Sequence, residues 1–254
     1  MTLPMLADFA IRLAGGLAAI LAMTPWRVVP PRFFRTQCQI ILGLGVLATL
    51  VCSQSPREPW VFGLALAVSV LAFASSIVWG LGLPKLGVPA AILTAATAAA
   101  LLAITADGPT VNLWALNASS RLASAFLLGS TLTAMLLGHY YLTAPAMSID
   151  PLRRFVRLMA SGLIVRAGLA AFILVAWSMG AADAQVGRSI SPFFLAIRWG
   201  IGFGGVGLAT YLTWETVKLR STQSATGILY IAMTLVLFGE LSSLILAKDS
   251  HLLI

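Results

Sequence analysis

Eight runs of about 20 apolar residues, divided by breaks too short to form a soluble domain, constrain this chain more than any other feature of its sequence. A hydrocarbon core about 30 Å thick is crossed by about 20 residues rising about 1.5 Å each. The runs extend from Pro4 to Thr24, Phe34 to Cys52, Trp60 to Leu81, Leu86 to Ile104, Leu113 to Thr143, Phe155 to Met179, Pro192 to Leu219 and Ser224 to Ala247. Between them stand "VVPPRFF", "SQSPREP", "GLPKLG", "TADGPT", "TAPAMSIDP", "GAADAQVGRSISP" and "KLRSTQ", where proline, glycine and charge stop a span. Inside lipid a backbone must bond to itself, so each run predicts a helix. Only 9% of the residues are charged, against about a quarter in soluble domains. The expected fold is an all-α integral membrane protein with eight transmembrane helices, residues 1–254 forming a single polytopic domain. The opening "MTLPMLADFAIRLAGGLAAILAM" lacks a basic leader region and carries Asp8 and Arg12, so it reads as the first span rather than a signal peptide.

Loop charge orients the bundle. The first, third, fifth and seventh connections hold Arg27, Arg32, Arg35, Lys85, Arg153, Arg154, Arg157, Lys218 and Arg220, whereas the other side holds Arg57, Arg188 and Lys248. Nine against three places both termini on the outer, non-cytoplasmic side. Trp26, Trp79 and Trp214 fall at inner ends, and Trp60, Trp114, Trp177 and Trp199 at outer ends, as aromatic belts would have them. A bacterial cytoplasmic membrane is the expected location. The net charge of +8 is dispersed over the loops, so lipids are the expected contacts and nucleic acid is not. Cys38 and Cys52, fourteen residues apart on one apolar run, are expected to be packing residues rather than a disulfide or a metal pair.

Eight spans also allow a parallel four-plus-four duplication, with halves 1–106 and 107–254. "RLAGGLAAILAMTPW" before "PPRFFR" echoes "RLASAFLLGSTLTAMLLGHYY" before "IDPLRRF", which makes Arg12 and Arg121 equivalent. In the seventh run "GIGFGGVG" marks a close helix approach, because small residues let backbones touch.

An ionisable group within a span costs about 2.5–3.5 kcal/mol and needs a reason. Counted inward from the outer ends at about 1.5 Å per residue, Arg198 and Glu240 lie at roughly 10 Å, Arg12 and Arg121 at about 12–15 Å, and Arg166 near the midplane. Asp8 and Arg12 share one helix face, and Glu240 can meet Arg198 at matched depth. That pairing leaves Arg121 and Arg166 without an acid at their level. The excess of arginine predicts an outer basic cavity of Arg12, Arg121, Arg166, Arg198 and Glu240, suited to a carboxylate, a phosphate, a haem propionate, or the polar end of a quinone or lipid. A second polar group is expected at the inner end, where His139, Tyr140, Tyr141, Glu215 and Tyr230 could move a proton. Interfacial tyrosines with an incidental histidine are the competing reading.

A bis-histidine haem is not expected, since the only other histidine, His251, follows the last span on the opposite side. No nucleotide, zinc-protease or serine-hydrolase motif is present in the sequence, and no metal spacing. The chain is expected to carry no cofactor of its own, with quinone as a candidate ligand. Three functions remain: a membrane subunit of an electron-transfer assembly beside membrane or periplasmic redox subunits, a secondary transporter or exporter of a small organic anion, and a structural or assembly bundle whose charges all pair internally.

Overall fold

Proline sets where four of the helices begin. Pro31, Pro59, Pro84 and Pro192 stand in first turns, where a missing N–H costs nothing because that group has no intrahelical acceptor. The computed structural model describes residues 3–54, 58–106, 108, 110–144, 147–178 and 191–250. It is all-helical, with no strand among the described residues. The helices are α1 (Met5–Met23), α2 (Pro31–Ser53), α3 (Pro59–Gly80), α4 (Pro84–Ile104), α5 (Val111–Thr143), α6 (Asp150–Ser178), α7 (Pro192–Lys218) and α8 (Thr222–Ser250). All eight are long and apolar enough to span a membrane. The end expected at Met179, the loop charges Arg57 and Arg188, and His251 lie outside the described residues, as do the side chains of Trp177 and Lys248.

Two helix starts lie three or more residues before the sequence expectation, for one reason. Helix α2 starts at Pro31 rather than Phe34, and α6 at Asp150 rather than Phe155, so each takes in charged residues that the apolar run leaves out: Arg32 in α2, and Asp150, Arg153 and Arg154 in α6. Hydropathy marks the part of a helix that lies in lipid, whereas the hydrogen-bonded helix continues to its cap outside it.

Helices α1 to α4 pack in a ring, each against the next and α4 back against α1; α5 to α8 form a second ring in the same order. The two rings join mainly along α1 and α5. That seam is built on glycine. A Cβ on Gly16 would land on the carbonyl of Ala125, and one on Gly129 would land on the backbone of Gly16. In the second ring, a Cβ on Gly202 would come within 2.8 Å of the Gly239 Cα, so Gly202 is where "GIGFGGVG" brings the backbones of α7 and α8 together, while Gly205 packs on Leu235 of α8. Both cysteines are buried and free, packed in the core. Trp79 departs from the aromatic-belt expectation: it is buried, and its ring stacks on Phe34 at 4.1 Å between centroids. Gly87 makes room for it, because a Cβ there would overlap the indole.

Helix α7 is not uniform. Between α-helical turns at Pro192–Ala196 and Val206–Lys218 it is π-helical over Ile197–Gly205. A π segment lets one extra residue into the turn and rotates the helix beyond it, and such segments concentrate at functional sites. The glycines of "GIGFGGVG" lower the side-chain crowding that would oppose it.

Candidate functional site

The two glycine contacts place the charges. Glu240 is the residue after Gly239, and Arg198 stands one turn before Gly202, so the close crossing of α7 and α8 brings the Arg198 Nη1 to 2.9 Å from the Glu240 Oε1. Arg12 stands one turn before Gly16, and Ser124 just before Ala125. The α1–α5 seam therefore lets the Arg12 Nη1 donate to the Ser124 hydroxyl at 3.3 Å. Ser124 in turn donates to the Glu240 Oε2 at 2.6 Å. One serine thus links the first ring to the carboxylate of the second.

The sequence expectation that Arg121 and Arg166 lack an acid is overturned. The Arg166 Nε lies 3.3 Å from the Glu240 Oε1, while its Nη1 and Nη2 donate to Ser120 and Ser243, each at 2.8 Å. The Arg121 Nη1 lies 3.5 Å from the Asp8 Oδ1, and Arg12 Nη2 meets the Asp8 Oδ2 at 2.5 Å. Counting rise per residue placed the Cα atoms at different depths, but an arginine side chain spans more than a helical turn and erases that difference. Arg121 has a further task. Its Nη1 donates to the Thr105 carbonyl at 3.0 Å and to the Thr105 hydroxyl at 3.2 Å, capping the end of α4, where carbonyls have no partner within the helix.

All five residues of the expected basic site therefore join Asp8 in one network drawn from α1, α5, α6, α7 and α8. None of the six is more than 6% exposed. Among the described residues, four guanidiniums share two carboxylates there. Sequence reading missed Ser120, Ser124 and Ser243. Their signal was spacing: Ser120 and Ser124 are four apart on one face of α5, and Ser243 is three after Glu240 on α8.

Some donors in this network have no acceptor. The Nε of Arg12 and the Nε and Nη2 of Arg198 are buried without a hydrogen-bond partner among the described residues. The Arg198 guanidinium also lies over the Phe203 ring, its Cζ 4.1 Å from the centroid. A buried donor left unbonded costs about 1–3 kcal/mol, more when charged.

The inner group is assembled only in part. The Tyr230 hydroxyl lies 3.4 Å from the His139 Nδ1, with the two rings edge to face. Tyr141 is buried and its hydroxyl donates to the Ser148 carbonyl, while Tyr140 packs on Phe33 at 5.9 Å between centroids. Glu215 is held by Lys218 at 2.7 Å, three residues along the same helix, and no hydrogen bond or ion pair joins it to His139 among the described residues. The i,i+3 lysine is the nearer partner and takes the carboxylate. The exposed His139–Tyr230 contact is worth little: Tyr230→Phe is expected to change stability by no more than about 0.5 kcal/mol, read as an unchanged thermal midpoint of the purified protein.

The chain matches no protein-family model, no curated protein and no solved structure.

Proposed function

We propose that this protein is a secondary transporter that carries a small organic anion across a bacterial cytoplasmic membrane, with both termini outside and the cargo's negative charge held by the buried arginines. One observation carries the reading: among the described residues, four guanidiniums share two carboxylates within one buried cluster. Positive charge gathered within a bilayer is costly, and an anionic ligand lowers that cost.

Two features favour transport over static binding. The cluster straddles the seam between the rings, with Asp8 and Arg12 on α1 and the other four residues on α5 to α8, so movement of one ring against the other would open it. The seam is also consistent with a parallel duplication. "RLA" begins at Arg12 and again at Arg121, each arginine stands four residues before the glycine or alanine of the crossing, and the rings share one packing order. The electron-transfer reading loses one of its supports, the inner group, where Glu215 and Tyr141 take other partners.

Counterflow is the direct test. Proteoliposomes loaded with unlabelled butyrate, lactate or succinate are expected to accumulate the labelled form of at least one of these acids above protein-free vesicles. Absence of accumulation for all three would remove the transporter reading.

A further inference from the structure

Arg198 offers more than a charge. In a guanidinium the Nε–H and one Nη–H point the same way from one edge, and that edge matches the two oxygens of a carboxylate. In Arg198 the Nη1 is spent on Glu240, one face is covered by Phe203, and the Nε and Nη2 that make up the side-on edge are both buried without a partner among the described residues. The side chain is 1% exposed, so water at the protein surface does not serve it. Removing this edge from water without an acceptor is costly unless something binds there.

The surroundings define what that is. Phe203 packs with Ala170 and Ile173 of α6, and Leu174, Leu195 and Trp199 lie against the same apolar cluster. Arg166 and Arg198 both pair with Glu240 among the described residues, and a carboxylate at the open edge of Arg198 adds a second negative charge to this half of the network. Resting on the anion-transport reading above, we infer that the side-on edge of Arg198 is the seat of the cargo, and that the cargo is a monocarboxylate with an apolar body: the carboxylate accepts from Nε and Nη2, and the body lies among the side chains around Phe203. The π-helical turn presents this seat, since Arg198 and Phe203 both belong to Ile197–Gly205.

The full-length protein in detergent is titrated with butyrate, which arrives from water, with palmitate, which arrives from the bilayer, and with methyl butyrate, which keeps the body and loses the charge. Butyrate is expected to saturate at one per chain, and methyl butyrate is expected not to bind. Arg198→Lys keeps the charge but cannot form the fork, and is expected to weaken butyrate binding roughly ten- to a hundredfold. Glu240 retains Arg166 and Ser124 in that variant, and an unshifted elution volume verifies the fold. Where the variant does not fold, the acid against its ester on the natural protein decides the matter, and an ester that binds as tightly as the acid overturns the seat. Butyrate binding unchanged in Arg198→Lys overturns the seat while leaving transport intact. Palmitate binding without butyrate supports the seat but overturns a water-borne cargo. No acid bound at all overturns both.

Discussion

Glu240→Gln is expected to destabilise the protein by about 3–5 kcal/mol, the cost of leaving a buried charge without its counter-ion. The amide keeps the volume and loses the charge, so the effect is electrostatic rather than a cavity. Glu240 stands between Arg166 at 3.3 Å and Arg198 at 2.9 Å and accepts from Ser124 at 2.6 Å; both arginines are at most 1% exposed. With total stabilities of about 5–15 kcal/mol, the loss is a large share of what holds the fold. The thermal midpoint of the detergent-extracted variant is expected to fall by about 10 °C, at about 2–4 °C per kcal/mol for a chain of this size. Adding Arg198→Gln is expected to recover part of that loss, because one of the two stranded charges is removed. A single variant that melts like the natural protein would show that the two guanidiniums do not depend on this acid.

Gly16→Val is the second large effect, and it acts through shape. Any Cβ at this position meets the carbonyl of Ala125 and the Gly129 nitrogen, which are backbone atoms that no rotamer change can move aside. Overpacking in a core costs about 1–3 kcal/mol, and a clash with backbone belongs at or above the top of that range. The helices α1 and α5 must separate, and the Arg12 bond to Ser124, which joins the two rings through the charge network, separates with them. Gly43→Ala is the control, since a Cβ there meets nothing within 4 Å. The valine variant is expected to lose its folded elution peak or melt at least about 6 °C lower, with the alanine variant at or slightly above the natural midpoint. Equal midpoints for the two would mean that the α1–α5 seam is not close-packed.

The eight spans were legible because a bilayer allows so few alternatives: long apolar runs must become helices, and proline marks where several of them start. Their charged ends at Pro31 and Asp150 were less so, since a hydropathy pattern fades before the helix does. Within the site, Asp8–Arg12 was readable from i,i+4 spacing and Arg198–Glu240 from matched depth. Arg166 and Arg121 were not, because their partners depend on which helices cross and on the length of a side chain that no register count includes. Helix packing also decides what a polar residue does. Arg121 reaches across to cap α4, and nothing near it in sequence announces that. The glycine run in α7 was readable as a close contact, but its π-helical winding was not, because glycine permits that winding without specifying it.

Native mass spectrometry of the protein extracted gently from its own membrane tests the proposed transport role most directly, since it reports bound partners and bound small molecules together. The expected result is a chain that carries one small organic acid and releases it in Arg198→Lys. A chain that arrives with redox subunits and quinone, or with phospholipid alone, would contradict that role.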